Sequence, residues 1–139
     1  MIPLYAQDHD YSSLNVLAVD DVPLNLILVQ KMLSRFNFKI RTAANGQLAL
    51  DAVAEQKPDL ILLDLMMPGI DGFEVIRRLR DNPETADIRI VILSALNSNE
   101  DIVKGFNVGA NDFIMKPIIM EKLLTCVVTQ LQIVTANSK

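Results

Sequence analysis

Polar residues of types that can do chemistry stand at the carboxyl ends of four short apolar segments. In chain order they are Asp20, Asp21, Asp64, Ser94 and Lys116. If these segments are parallel strands of one sheet, their carboxyl ends meet at the edge where open α/β sheets bind ligands. We therefore expect the five side chains to converge in one crevice.

The three aspartates predict a divalent cation. Asp20 and Asp21 alone could cap a helix and complement its dipole, but Asp64 interrupts an apolar segment, which a capping role does not explain. Three carboxylates within about 5 Å would repel by roughly 3 kcal/mol per pair at an effective dielectric of about 20. Mg²⁺ relieves this repulsion, because it prefers oxygen ligands and keeps positions for water and phosphate.

Lys116 and Ser94 complete a set suited to phosphoryl chemistry. Alone, each has an ordinary interpretation, as a solvated lysine and as a turn residue, and Pro117 alone indicates a helix start. Beside a nucleophilic carboxylate and a metal, an ammonium group neutralises phosphoryl oxygens and a hydroxyl group hydrogen-bonds one of them. The combination indicates an aspartyl-phosphate site.

Apolar patterning predicts five strands that position these residues. Three segments are short and rich in Val, Ile and Leu, which is typical of central parallel strands buried on both faces. One segment alternates apolar and polar residues, as an edge strand does, and a fifth short strand precedes Lys116. The predicted strands are 14–19, 38–43, 60–65, 88–93 and 112–115.

Five helices are predicted between and after the strands. Pro23 suits a first helical turn, and Asp71 is a candidate N-cap. The fourth helix contains Gly105 and Asn107 and few large apolar residues, so we expect low intrinsic stability and mobility there. The predicted helices are 23–36, 45–56, 72–80, 99–108 and 118–133. Alternation of strands and helices predicts a doubly wound α/β fold with helices on both faces of a parallel sheet.

Length and composition favour a single domain. The chain has 139 residues, of which 50% are hydrophobic and 22% charged, a size typical of one domain. We predict a domain at 14–135, with a polar leader at 1–13 and a tail at 136–139. The 17 acidic and 13 basic residues give a net charge of −4, which provides no global positive field for binding nucleic acid.

The scarcity of cysteine and histidine narrows the chemistry further. The lone Cys126 cannot form an internal disulfide, which favours a reducing, cytoplasmic setting. The single histidine, His9, makes histidine metal clusters and Ser-His-Asp catalysis improbable. No apolar run approaches the roughly 18 residues that span a membrane, and the first residues do not form a secretory signal.

The candidate residues lie in four motifs that together resemble a known family. The motifs are VLAVDD at 16–21, LLDLMMPGIDG at 62–72, VILSA at 91–95 and Lys-Pro at 116–117. In this order they are jointly specific, and over 14–133 the sequence resembles the receiver domain of two-component response regulators, of the chemotaxis-regulator type. The resemblance implies a single flavodoxin-like domain with a five-stranded parallel sheet in the order 2-1-3-4-5.

The resemblance also implies how the acidic residues act. Asp64 would be the phosphoacceptor, taking its phosphoryl group from a histidine kinase or a histidine phosphotransfer protein. Mg²⁺ would be bound directly by Asp21, Asp64 and the backbone carbonyl of Met66, and through water by Asp20. Such a domain catalyses only its own phosphorylation and dephosphorylation, so we do not expect a conventional enzyme.

Further implied roles concern the switch. Ser94 would turn toward the phosphoryl group, Lys116 would pair with it, and Phe113 would pack inward as Ser94 moves. The bond between Lys116 and Pro117 would be cis, as is typical of the family. The surface formed by the fourth helix, fifth strand and fifth helix would have two states that phosphorylation biases.

Three residues depart from common family patterns. Met66 and Leu96 are apolar at positions where relatives often carry polar groups that position water, from which we hypothesise slow dephosphorylation. Phe113 lacks the hydroxyl of a tyrosine, so its switching would depend on packing. Ordinary packing explains all three residues at least as well.

Other functions on such a fold have less support. A magnesium-dependent phosphohydrolase of the haloacid dehalogenase type needs a second acid two residues after the first, where this chain has Met66. A flavin or nucleotide module needs a phosphate-binding loop after the first strand, whereas residues 21–25 supply an acid. A pseudo-receiver that binds partners without phosphorylation stays open.

The expected partners are proteins. We expect a phosphohistidine donor and a downstream protein target, no membrane, and a monomer or a phosphorylation-dependent homodimer. Arg77, Arg78 and Arg80 cluster on the third helix, but such a cluster is usually a solvated face, so we expect no direct contact with nucleic acid.

Overall fold

The computed structural model describes residues 10–96 and 98–137. Five strands and five helices alternate along this part of the chain. The strands are β1 (Asn15–Val19), β2 (Lys39–Ala43), β3 (Leu60–Leu63), β4 (Arg89–Ser94) and β5 (Asp112–Met115). The helices are α1 (Pro23–Met32), α2 (Gly46–Glu55), α3 (Gly72–Asp81), α4 (Asn99–Val108) and α5 (Met120–Asn137).

The strands form one parallel sheet in the order β2-β1-β3-β4-β5. This confirms the doubly wound α/β class and the strand order. All residues of β1 and β3 are buried, because helices cover both faces of the sheet. The chain reverses its direction of winding at β1, so β1 and β3 form the switch point where such sheets bind ligands.

Alternate residues of the strands face two separate apolar layers. Val16 and Leu62 pack with Leu33 of the α1 region and Val127 of α5 on one face. Leu17 and Leu63 pack with Val53 of α2 and Val75 of α3 on the other face. Removal of this apolar surface from water is the main stabilising contribution to the fold.

Most predicted bounds agree with the structure to within one or two residues, but α1 is shorter than predicted. It ends at Met32 rather than at residue 36. The Ser34 hydroxyl donates to the Lys31 carbonyl, and the Phe36 amide donates to the Leu33 carbonyl, so a tight turn replaces the last helical turn. Phe36 stacks on Phe38 instead, with ring centroids 5.4 Å apart.

The edge strand β2 does not keep the predicted alternation throughout. Thr42 is exposed and Ala43 is buried, because Ala43 packs against the apolar layer beneath α2 and α3. The last helix also differs from the prediction, since α5 begins two residues later and ends four residues later than 118–133.

The fourth helix has the predicted bounds and clear end signals. The Ser98 side chain accepts a hydrogen bond from the Asp101 amide at the amino end. At the carboxyl end Gly109 has a φ of 122°, a backbone conformation that residues with a Cβ rarely adopt. The mobility of α4 stays a prediction.

Residues near both ends of the described chain belong to the packed fold. Tyr11 is buried, and its ring lies edge-on against Phe36 with centroids 5.9 Å apart. At the other end α5 continues to Asn137. The single histidine, His9, lies outside the described residues. Within residues 10–96 and 98–137, none of the helices combines the length and apolar character needed to cross a membrane.

Candidate functional site

Backbone hydrogen bonds extend the sheet and hold the candidate residues in register at its carboxyl edge. The Asp64 amide donates to the Val19 carbonyl over 3.0 Å, which places Asp64 beside the end of β1. The Lys116 amide donates to the Ser94 carbonyl over 2.9 Å, which places Lys116 beside the end of β4. The sheet therefore fixes the backbone positions from which these side chains extend.

The three aspartates form one acidic cluster. One carboxylate oxygen from each of Asp20, Asp21 and Asp64 lies within 4.8 Å of the others. Asp20 and Asp64 are buried, whereas Asp21 is exposed. At this spacing each pair of charges repels by roughly 3 kcal/mol at an effective dielectric of about 20. The donor set consists of hard oxygen atoms with one side open to solvent, which fits Mg²⁺.

Lys116 contacts two members of the cluster. Its Nζ lies 2.9 Å from Asp20 Oδ2 and 3.8 Å from Asp64 Oδ1. The ammonium group is mostly buried, with 20% of the side chain exposed. The bond between Lys116 and Pro117 is cis. One cation therefore partly compensates three carboxylates, and the cluster keeps a net negative charge.

Asp20 has more protein partners than the other two aspartates. The Val22 amide donates to Oδ1 over 2.9 Å, and the Asn25 side-chain amide donates to Oδ2 over 3.1 Å. Oδ2 also accepts from Lys116 Nζ. Asn25 was not predicted as a site residue; its only available signal was a polar residue in the otherwise apolar first turns of α1.

Asp64 is held in a less polar environment. Burial raises the pKa of Asp64 above its ordinary value, Lys116 opposes this shift, and the charges of Asp20 and Asp21 reinforce it. The Met66 amide donates weakly to Asp64 Oδ1 over 3.4 Å. A carboxylate that is buried among like charges has few favourable partners until a cation or a phosphoryl group enters.

Ser94 and Phe113 lie on the two neighbouring strands at this end of the sheet. Ser94 is fully buried, and its hydroxyl oxygen accepts from the Leu96 amide over 3.2 Å. Phe113 is half-buried beneath α4, where a Cβ built on Gly105 would lie 3.3 Å from the Phe113 ring. The absence of a side chain at Gly105 therefore lets α4 lie close to Phe113.

Apolar side chains border the cluster on the side of α3. Met66 is 55% exposed, and with Leu96 and Phe73 it lines a shallow groove of about 410 Å³. The backbone amides of Met66 and Leu96 donate to Asp64 and Ser94, so this groove adjoins the candidate site.

A glycine that sequence analysis placed only at a helix start also shapes the site. A Cβ on Gly72 would lie 2.6 Å from the Asp64 carbonyl oxygen and 2.8 Å from Leu65 Cα. Both are backbone atoms, which cannot move away cheaply. Gly72 thus allows α3 to pack directly against the backbone of Asp64.

The arginines of α3 do not form a shared basic surface. Arg77 and Arg78 are exposed and pair with Glu74 on the same helix. Arg80 is half-buried and donates to backbone carbonyls at the opposite end of the sheet. Intrahelical pairing is the ordinary arrangement of a solvated helix face.

Comparison with known sequences agrees with the fold. Residues 16–128 match the response regulator receiver domain family. The chain belongs to this family, whose members are the phosphorylation-activated switches of two-component response regulators.

Individual relatives show how far the similarity extends. The response regulator PleD of Caulobacter vibrioides is 43% identical over 106 residues, which cover 76% of this chain and 23% of PleD. Protein PilH of Pseudomonas aeruginosa is 34% identical over 109 residues, covering 78% of this chain and 90% of PilH. The structure of the chemotaxis protein CheY4 of Vibrio cholerae has a TM-score of 0.78 and 31% identity, over 84% of this chain and 97% of CheY4. The chain thus spans about a quarter of PleD and nearly all of PilH.

Proposed function

We propose that this chain is switched by transient phosphorylation of Asp64. The observation that carries the proposal is the convergence of three carboxylates within 4.8 Å around Lys116 at the switch point of the sheet. The arrangement is costly in the resting protein and is relieved by a divalent cation and a phosphoryl group.

The proposed reaction is phosphoryl transfer from a phosphohistidine. A carboxylate oxygen of Asp64 attacks phosphorus, the phosphorus–nitrogen bond breaks, and its electron pair stays on the imidazole nitrogen. Asp21, Asp64 and the Met66 carbonyl would hold Mg²⁺, with Asp20 acting through water. When bound, Mg²⁺ would neutralise charge on the phosphoryl oxygens.

Two other residues would respond to the new phosphoryl group. Lys116, now 2.9 Å from Asp20 Oδ2 and 3.8 Å from Asp64 Oδ1, has a short distance to move to pair with a phosphoryl oxygen. The Ser94 oxygen accepts from the Leu96 amide, which leaves its O–H to donate to another phosphoryl oxygen. Movement of Ser94 would free space into which Phe113 packs.

The output would pass through the surface of α4, β5 and α5. Large apolar side chains are exposed on it, including Val103 (55%), Phe106 (46%) and Met115 (52%). A change in this surface would alter binding of a downstream protein or of a second copy of the chain. We further propose a histidine kinase or a histidine phosphotransfer protein as the donor, a cytoplasmic location and no enzymatic activity on other substrates.

Intact mass spectrometry tests the proposal. Incubation with acetyl phosphate and Mg²⁺ should add one phosphoryl group, about 80 Da for HPO₃. Asp64→Asn should abolish the gain, as should chelation of the metal, whereas Asp59→Asn at the opposite end of the sheet should keep it. A gain that survives in Asp64→Asn would place the phosphoryl group elsewhere, and no gain in the wild-type chain with Mg²⁺ bound would favour a pseudo-receiver.

A further inference from the structure

Asn25 contributes a neutral side chain that contacts the acidic cluster. It lies in the first turn of α1, and its side-chain amide donates to Asp20 Oδ2 over 3.1 Å. The same oxygen accepts from Lys116 Nζ over 2.9 Å, while Oδ1 accepts from the Val22 amide. Protein donors therefore occupy both oxygens of Asp20, and two of them share one oxygen.

The sharing of Oδ2 matters because Lys116 has to move. Lys116 Nζ is 0.9 Å closer to Asp20 Oδ2 than to Asp64 Oδ1, from the distances of 2.9 and 3.8 Å. When Lys116 turns to a phosphoryl group on Asp64, a buried carboxylate oxygen loses its cation. A buried acceptor that is left without a partner costs free energy, and Asn25 prevents this by remaining hydrogen-bonded to Oδ2.

The chemistry of an amide suits this position. A second cation there would compete with Lys116 and with Mg²⁺, and another carboxylate would add to the repulsion within the cluster. The helix does not explain the residue, because Asn has a lower helix propensity than Ala and Val22, the N-cap of α1, lacks a side-chain cap. The Asn25 amide is directed to Asp20.

We propose that Asn25 is a positioning residue, which holds Asp20 and lets Lys116 exchange between Asp20 and the phosphoryl group. This inference rests on the proposed phosphorylation of Asp64. The donors on both oxygens of Asp20 agree with the proposed water-mediated role of Asp20 and with direct contacts of Asp21 and Asp64 to Mg²⁺. Loss of the Asn25 amide should therefore affect the rate of phosphorylation more than the affinity for Mg²⁺.

The central variant is Asn25→Ala, compared with the wild-type chain and with Gln30→Ala, a control five residues further along α1. At saturating Mg²⁺ the rate of phosphorylation by acetyl phosphate should fall about fivefold, the effect of one hydrogen bond of ordinary strength. The dissociation constant of Mg²⁺, from shifts of the Asp21 and Asp64 amide NMR signals, should change by less than about twofold. Gln30→Ala should leave both quantities unchanged.

A second comparison separates positioning from a general effect on α1. Asn25→Ala should have no further effect on the rate in the D20A background, because the oxygen on which Asn25 acts is gone. The Asp20 carboxyl carbon signal should also shift in Asn25→Ala and stay in place in Gln30→Ala. An equal fall in rate in both backgrounds would instead indicate a structural role.

The outcomes separate this inference from the proposed function. A wild-type chain that takes a phosphoryl group, together with an unchanged rate in Asn25→Ala, overturns the role of Asn25 alone. A weaker Mg²⁺ affinity, together with a loss of rate at low Mg²⁺ that disappears at saturating Mg²⁺, also overturns it, since Asn25 would then act through the metal. A wild-type chain that is never phosphorylated overturns the proposed function and this inference with it.

Discussion

The two ends of the sheet hold buried charge in opposite ways. At the carboxyl end three carboxylates share one lysine, and burial raises the pKa of Asp64. At the amino end the Arg80 guanidinium donates to the backbone carbonyls of Ala86, Ile88 and Gly109 and to the Asn111 side chain. Acceptors of the protein itself therefore satisfy the Arg80 guanidinium, whereas the acidic cluster keeps uncompensated negative charge.

Arg80 connects three parts of the chain at the amino end. It lies near the end of α3, and its partners lie before β4 and before β5. Asn111 continues the network, because its Oδ1 also accepts from the Ile90 amide. Burial and the neighbouring charge of Arg89 lower the pKa of Arg80 from its ordinary value, but an arginine at neutral pH remains charged.

Arg80→Ala should give the largest loss of stability. It leaves several part-buried acceptors without donors, so the free energy of unfolding should fall by about 3 kcal/mol. Urea denaturation followed by circular dichroism measures this. The matched control is Arg78→Ala, which removes an exposed ion pair from the same helix and should cost less than about 0.5 kcal/mol. Equal losses of stability in the two variants would show that Arg80 contributes no more to stability than an exposed arginine does.

Gly72→Ala tests whether the carboxyl end is sterically fixed although its charges are uncompensated. The new Cβ would lie 2.6 Å from the Asp64 carbonyl oxygen. We therefore expect the free energy of unfolding to fall by about 2 kcal/mol and phosphorylation to be slower. The control is Gly69→Ala, where φ is 79° but the Cβ meets open space. It should cost about 1 kcal/mol through backbone conformation alone, with the rate of phosphorylation kept. A Gly72→Ala variant of wild-type rate would show that Asp64 tolerates displacement.

The difference between the ends also explains what the sequence could reveal. Asp64 and Lys116 interrupt or end apolar strands, and a charged residue in such a place is visible in the sequence, so both could be recognised as candidate site residues. Alternation of strands and helices predicted the fold class, whereas the strand order was predicted from the family resemblance. Arg80 is not visible in this way, because it stands among exposed arginines at helical spacing and only the tertiary structure shows its carbonyl partners.

Residues that act through backbone proximity were also hidden. Gly72 was predicted only as a helix start, because its contact with the Asp64 carbonyl joins two segments that patterning treats separately. The early end of α1 was missed for a related reason, since the apolar spacing continues to Phe36 although its ring packs with Phe38 in the turn. Periodicity records which residues are apolar but does not record where their backbone bends.

Neutralising one aspartate at each end should change stability with opposite signs. Asp64→Asn relieves repulsion within the cluster and should raise the free energy of unfolding by about 1 kcal/mol in buffer with EDTA. Asp59 accepts from the backbone and side-chain amides of Asn15, so Asp59→Asn should lower it by about 1 kcal/mol. Urea denaturation of both variants provides the measurement. A loss in Asp64→Asn would mean that Lys116 already compensates the cluster.

Addition of Mg²⁺ sharpens the same comparison. A cation that binds only the folded protein stabilises it by mass action. The wild-type chain and Asp59→Asn should therefore gain stability on replacement of EDTA by excess Mg²⁺, and Asp64→Asn should gain less. An equal gain in all three chains would show that the cation binds away from the cluster.

The smallest effect is expected from the apolar border of the site. Met66 is exposed, its backbone amide donates to Asp64 Oδ1, and with Leu96 its side chain lines a groove next to the site. A side-chain amide at this position can hydrogen-bond an attacking water, whereas a thioether orients it poorly. Met66→Gln should therefore speed dephosphorylation about threefold, less than one full hydrogen bond contributes.

The measurement is the decay of phosphoprotein after removal of the donor, with Met120→Gln as a control on an exposed methionine of α5 that should not change the rate. A wild-type half-life of seconds would contradict the hypothesis of a long-lived signal, and an unchanged rate in Met66→Gln would show that ordering of water at this border does not limit hydrolysis. Either result would remove the apolar border from the proposed chemistry, which would then depend on the acidic cluster, Lys116 and Ser94.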